Sequence, residues 1–298
     1  MRTIRRFPLL VVATGLVLTG GVAGCGAPKK DAAAATSSSA SGSGSSSAAS
    51  CSPASMATAS KGKLTIGTDN PAYGPWFDNN KPEDGKGYES AVGFAIAKNL
   101  GYAASAVSWI RVPFTNAITP GPKKFDFDLN QVSISPARAK AVDFSSGYYD
   151  VTQAVVTYKG SKIAGAKTIA ELKGAKLGAQ VGTTSYTAIT DQIKPSNKPA
   201  VYDSNDLAVQ ALKSKQIDGL VVDLPTAFYV TSAQLDNGVI VGQLPSATGK
   251  PEQFGAVLAK GSSLTPCISK AVDALRADGT LTKLSEQWLT GQGAPKLS

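Results

Sequence analysis

The sequence predicts an α/β fold in two halves. Strand-like runs alternate with helically spaced apolar residues from Lys63 onward, and the pattern restarts after Lys159-Gly160. The chain has 298 residues, 42% hydrophobic and 17% charged, enough for about two ordinary domains. Alternation of this kind builds βαβ units, so each half is expected to hold a mostly parallel sheet flanked by helices. Leu64-Thr65-Ile66-Gly67 reads as the first strand. Glu89 to Leu100 carries Val92, Ala95, Ile96 and Leu100 at helical spacing and stops at Gly101, a favourable C′ residue. Strand-like runs follow at 106–112, 127–134 and 153–158. In the second half Thr168 and Glu171 form a capping box that opens a short helix. Strands are expected at 176–181, 219–222, 239–242 and 254–258. Helices are expected at 207–212, at 225–235 behind Pro225, and at 266–277 and 281–289.

Met1 to Gly24 joins a basic start (Arg2, Arg5, Arg6) to an apolar stretch from Leu9 to Thr19 and then small residues. That stretch is too short to span about 30 Å of hydrocarbon as a helix, so residues 1–24 read as an export signal. Val22-Ala23-Gly24-Cys25 resembles the lipobox of bacterial lipoproteins, which implies a lipid on Cys25; a plain cleaved signal is the alternative. The Arg5-Arg6 pair alone is a weak twin-arginine signal. Residues 25–60 are mostly Ser, Ala, Gly and Thr and cannot bury enough apolar surface to order themselves. They read as a tether of roughly 30–35 Å reach, at about 5–6 Å × √n.

Several function classes fall away on composition. The chain has no histidine, which excludes Ser-His-Asp and Cys-His catalysis and His-ligated metals. Its three cysteines form no CxxC. No metal site and no cofactor are expected. Removing residues 1–24 takes three of the 30 basic residues and none of the 21 acidic ones, so the net charge falls from +9 to +6. The basic residues form no long run, so nucleic acid is not an expected partner.

Ser133-Ile-Ser-Pro-Ala-Arg138-Ala-Lys-Ala-Val-Asp143-Phe144-Ser145, followed by Gly147-Tyr148-Tyr149, is similar to a signature of the bacterial extracellular solute-binding proteins, family 3. These are the polar amino acid-binding subunits of ABC importers. Supporting blocks include Ile66-Gly67-Thr68-Asp69, Gly85-Lys-Gly87-Tyr88-Glu89, Gly182-Thr183-Thr184 and Ile217-Asp218-Gly219 through Asp223. The resemblance spans about Lys63 to Leu289. It implies a type II periplasmic-binding-protein-like clamp with two crossover hinge segments. Lobe 1 would comprise 61–150 plus 252–298 and lobe 2 155–246, with hinges near 151–154 and 247–251. It further implies a monomer on the outer face of the cell membrane, anchored through Cys25, that passes an amino acid to separate permease subunits. ATP binding belongs to another subunit of such importers. The stretch from Gly242 to Pro251 is a phosphate-loop decoy, because its spacing is wrong and Pro251 stands where Ser or Thr is required.

An amino acid brings one carboxylate and one ammonium, and each needs an opposite charge in a closed cleft. Arg138 matches the family's carboxylate-binding arginine, whose guanidinium offers two parallel N–H donors. A surface pairing of Arg138 with Asp143 is the competing reading. Asp223 matches the ammonium-binding aspartate; capping the helix at Pro225 is its other use. Ser133, Gln131, Gln180 and Thr184 match positions lining the family pocket. Gln131 departs from the family's Gly or Ser, and its side chain either enters the pocket or points outward. Tyr73 and Phe114 are candidate aromatic walls, with core packing as the alternative for both. Pro120 breaks the helix that would place Phe114. Asp69 and Glu89 would favour a cationic ligand side chain, although Asp69 is common in the family.

After Cys25 is assigned to lipid, Cys51 and Cys267 remain, and leftover cysteines of exported proteins more often pair than not. Two free thiols are the alternative. The expected activity is non-enzymatic. A cyclohexadienyl-dehydratase-like enzyme on the same clamp, with Asp69 or Glu89 as acid or base, is the second reading, and a ligand-sensing subunit of a signalling system is the third.

Overall fold

In a computed structural model of the chain, residues 50–289 and 293–298 are described. The predicted signal, Cys25 and the tether up to residue 49 lie outside them. The first sheet contains β1 (Leu64–Thr68), β2 (Val107–Arg111), β3 (Phe127–Asp128) and β4 (Val142–Val151). The chain then crosses at Thr152 into a second sheet. That sheet contains β5 (Gln153–Tyr158), β6 (Leu177–Gln180), β7 (Ala200–Tyr202), β8 (Gly219–Asp223) and β9 (Gly238–Gln243). Residues 244–251 return it to β10 (Glu252–Ala259), which completes the first sheet. The strand orders are β2-β1-β3-β10-β4 and β7-β6-β8-β5-β9.

Each sheet is mostly parallel, as expected, with one reversed strand: β10 in the first and β5 in the second run against the other four. β1 pairs in parallel with β2 and β3, and β6 with β7 and β8, as βαβ units require. The strands that enter or leave a crossover, β4, β10, β5 and β9, add antiparallel pairs, so both sheets are mixed.

Helices α1 (Tyr88–Asn99), α2 (Phe114–Ile118), α6 (Thr265–Ala277) and α7 (Thr280–Trp288) belong to lobe 1. Helices α3 (Thr184–Ala188), α4 (Asn205–Lys213) and α5 (Leu224–Tyr229) belong to lobe 2. Gly87 precedes α1 with φ +91°, and a Cβ there would meet Phe77 Cα at 2.5 Å. Only glycine lets the chain turn into α1 so close to the 70–80 loop. The capping box forms reciprocally: Glu171 Oε2 accepts from Thr168 N at 3.0 Å, and Glu171 N donates to Thr168 Oγ1 at 3.4 Å.

Lobe 1 is filled by aromatic rings. Trp76 meets Tyr88, Tyr149 and Phe254 edge-to-face at centroid distances of 6.0, 5.5 and 5.4 Å. Lobe 2 buries aliphatic side chains on both sheet faces, Val155 and Val221 on one, Val156, Leu220 and Val222 on the other. Such two-sided burial suits central strands.

Three expectations change. The run 127–134 is a strand only at Phe127–Asp128, because Gln131 takes φ +49° and turns the chain; Ser133 rejoins through a single bridge to Phe254. Residues 50–60 are packed rather than tether: Cys51 is disulfide-bonded to Cys267 and Met56 is 8% exposed in the lobe 1 core. Residues 293–298 lie on lobe 2, not lobe 1. Leu297 is buried in the lobe 2 core, and the tail exchanges backbone hydrogen bonds with Gln243 at 2.7 and 2.9 Å.

Candidate functional site

A cavity lies where the carboxyl ends of the strands of both lobes face one another. Lobe 1 contributes Asp69, Tyr73, Phe114, Asn130, Gln131 and Arg138; lobe 2 contributes Gln180, Thr183, Thr184, Ser185, Asn205, Val222, Asp223 and Thr226. Eight of the nine predicted ligand residues are therefore on its wall. Ser133 stands just behind, 2% exposed, with its hydroxyl donating to Glu252 Oε2 at 2.9 Å.

Arg138 sits on a single 3₁₀ turn after Pro136. Its guanidinium donates to Ser133 O at 2.6 Å and to Gly182 O at 2.8 Å, so it already reaches across to lobe 2. It also lies over the Phe114 ring at 5.4 Å, a cation–π distance. Burial lowers its pKa, while Asp223 and Glu252 act in the opposite direction. The surface pairing considered for Arg138 does not form: Asp143 pairs with Lys260 at 3.0 Å. Phe114 is buried although α2 stops at Ile118, two residues before Pro120. It lines the cavity despite that early break.

Asp223 ends β8 and precedes α5, whose second residue is Pro225. Its side chain makes no capping hydrogen bond. Its Oδ1 accepts from Gln153 Nε2 at 2.8 Å. Burial and the nearby Glu252 carboxylate push its carboxyl up to about 7, against the pull of Gln153 and Arg138. Thr183 N-caps α3 by accepting from Tyr186 N at 3.2 Å, which fixes the turn that presents Thr184. Gln180, two residues before Gly182, donates to Asp203 O at 3.4 Å.

Asp69 follows β1. Its carboxyl is raised, mainly by burial, and accepts from the backbone of Asn70 and Phe114. Tyr73 bonds to Ser204 and the Asp206 backbone on lobe 2, and burial raises its phenol. Gln131 resolves its two readings in one place: it lines the cavity, yet its backbone N–H donates to Glu89 Oε1 at 2.8 Å and its side-chain amide donates to Glu89 Oε2. Glu89 is fully buried and also accepts from Tyr148 Oη; desolvation pushes it up to about 7. Trp76 Nε1 donates to Thr226 Oγ1 at 3.0 Å, a further direct contact between the lobes.

The cavity wall thus carries one cation, Arg138, against Asp69 and Asp223, with Glu89 and Glu252 immediately behind. That arrangement can hold a carboxylate at Arg138 and one or two ammonium or guanidinium groups at the aspartates. The sequence reading missed Asn130, Ser185, Asn205 and Thr226 on the wall, and Gln153 and Glu252 beside it. Gln153 and Glu252 stand at strand starts beside the crossovers, and no motif marked them.

The chain matches the model of bacterial extracellular solute-binding proteins, family 3, over residues 64–291. It is similar to the ABC transporter arginine-binding protein 1 of Escherichia coli (strain K12), 34% identical over 56% of this chain and 67% of that protein. It is also similar to the arginine-binding extracellular protein ArtP of Bacillus subtilis (strain 168), 29% identical over 80% of this chain and 90% of that one. Among solved structures, an ancestral arginine-binding protein bound to glutamine aligns with a TM-score of 0.64 at 31% identity, covering 78% of this chain and 100% of that one. An ancestral amino acid-binding protein described as a precursor of cyclohexadienyl dehydratase aligns with a TM-score of 0.61 at 28% identity, over 76% of this chain and 95% of that one. With a two-lobed α/β clamp and a family match across both lobes, the chain belongs to the bacterial extracellular solute-binding proteins, family 3.

Proposed function

We propose that the protein is a lipid-anchored, extracytoplasmic receptor that closes on a polar amino acid of the cationic kind and delivers it to the permease of an ABC importer. The observation that carries this is the placement of Arg138 on lobe 1 and Asp223 on lobe 2 across one cavity. A zwitterion meets both partners only when the lobes are together, so its differential contact favours closure. Arg138 binds the carboxylate as a two-donor fork, and Asp223 accepts from the α-ammonium. Asp69, free to act beyond that pair, faces a cationic side chain between Tyr73 and Phe114. The arginine-binding relatives support the same choice. The protein performs no covalent step in this reading.

Melting curves of the purified protein with each amino acid in turn test it. A ligand at about a hundred times its Kd adds ~2.7 kcal/mol of stability, a shift of several degrees. Arginine or lysine is expected to give the shift, and Arg138→Ala and Asp223→Ala to remove it. No shift from any amino acid, together with turnover of a prephenate-like acid, would replace the receptor by the dehydratase reading.

A further inference from the structure

The two strands that lead out of the crossovers each open on a polar side chain. Gln153 opens β5 and is 3% exposed. Its Oε1 accepts from Ser185 Oγ at 2.7 Å, which turns its amide nitrogen toward Asp223 Oδ1 at 2.8 Å, with Thr184 Oγ1 at 3.3 Å. Glu252 opens β10. Its Oε2 accepts from Ser133 Oγ at 2.9 Å and from Gln153 Nε2 at 3.4 Å. Ser133 and Thr184 face each other across the lobes at 3.3 Å.

We propose that Gln153 and Glu252 are positioning residues for the ammonium site, through which the hinge strands themselves aim Asp223 and Ser133 at the ligand. The inference rests on the amino acid-receptor reading above. A carboxylate left without its buried donor loses both orientation and stabilisation, so Gln153 governs where Asp223 points. Because Ser133 gives its proton to Glu252, Thr184 is the donor in its 3.3 Å contact with Ser133, which keeps one lone pair to accept from an ammonium. The other partners of Gln153 are on lobe 2, and the Ser133 partner of Glu252 is on lobe 1. The contact between Gln153 and Glu252 therefore joins the lobes at the hinge, and seating the ammonium and setting the hinge become one event.

The same network gives the two residues opposite electrostatic effects. Asp223 faces Glu252, Arg138, Glu89 and Tyr149, besides Gln153. Glu252 is a like charge that holds the Asp223 proton on; the Gln153 hydrogen bond helps to remove it. Ammonium binding needs ionised Asp223, so affinity falls as pH drops through its titration.

Calorimetric titration with L-arginine from pH 5 to pH 9 tests the proposal on the parent, Gln153→Leu and Glu252→Gln. Gln153→Leu is expected to weaken binding roughly tenfold at neutral pH and to move the acid midpoint of affinity upward. Glu252→Gln is expected to move that midpoint downward. Gln153→Asn, which keeps an amide but withdraws it, is expected to follow Leu in direction and replaces it if Leu lowers expression of folded protein. A merely structural role would lower the melting temperature and leave both midpoints at the parent value. Parent-like midpoints in both variants, or shifts of the same sign, overturn the inference while leaving the receptor reading intact. A parent that fails to bind L-arginine overturns the cationic receptor reading and this inference with it.

Discussion

The main core of lobe 1 packs Trp76, Tyr88, Tyr148, Tyr149 and Phe254 ring against ring. Behind Asp223, lobe 2 packs valine, leucine, isoleucine and alanine on both faces of a sheet of the same strand number. The difference decides what each lobe can bury. Aromatic residues with hydroxyls let lobe 1 hold a fully buried carboxyl, since Tyr148 and Gln131 both donate to Glu89, and Tyr88 Oη donates in turn to Tyr148 O at 2.8 Å. The tyrosines of lobe 2, Tyr158, Tyr186 and Tyr202, are only partly buried at the margins of its aliphatic core. Asp223 is therefore served from the hinge, by Gln153. Lobe 1 is also stapled by Cys51–Cys267 across a sequence separation of 216.

Removing the staple should break this contrast most strongly. Replacing Cys51 and Cys267 together by Ser is expected to lower unfolding stability by about 5 kcal/mol on the loop-entropy account, read by denaturant titration. A loss below about 1 kcal/mol would mean that packing alone holds the 50–60 segment. Removing either half of the charge pair comes next. Arg138→Ala or Asp223→Ala leaves a ligand charge unpaired in the cleft, so binding should fall by about 3–5 kcal/mol in calorimetry, with the parent's stability largely retained.

Glu89 sharpens the comparison through pH. Its carboxyl is raised from 4.5 to about 7 in the folded protein. For a raised acid the folded state binds the extra proton, so the contribution to stability is complete below about 4.5 and is lost as pH rises through about 7. Glu89→Gln should flatten stability against pH over that window, an effect on the order of 3 kcal/mol from the shift, and an unchanged slope would refute the assignment. The smallest effect is at a helix cap. Ser204 N-caps α4 by accepting from Leu207 N at 3.3 Å, and Ser204→Ala should cost about 1 kcal/mol in thermal melts.

Most elements were legible because their apolar spacing was clean. β4 was not, for Asp143, Ser145, Ser146 and Asp150 interrupt its alternation; only its motif stood out. β7 is three residues at a sheet edge, too short to carry a pattern. The 127–134 run failed as a strand because Gln131 adopts a left-handed conformation and turns toward Glu89, a long-range contact that local propensity does not encode. The one reversed strand in each sheet, β10 and β5, follows from the chain crossings, which strand spacing cannot show. At the site, motif positions led to the cavity wall, including Arg138 and Asp223. Gln153 and Glu252 stayed hidden because their roles depend on which strand starts meet at the hinge. The tail was assigned to the wrong lobe since Leu297 gives no sign of which core receives it.

The central claim is that one zwitterion bridges Arg138 and Asp223. Calorimetry of the purified protein with L-arginine, with agmatine, which lacks the carboxylate, and with the desamino analogue, which lacks the α-ammonium, tests it most directly. The account predicts binding of L-arginine and a loss of at least about a hundredfold for each analogue, since either leaves one buried charge unpaired. Equal affinity for all three would show that the side chain alone is recognised and would contradict the bridge.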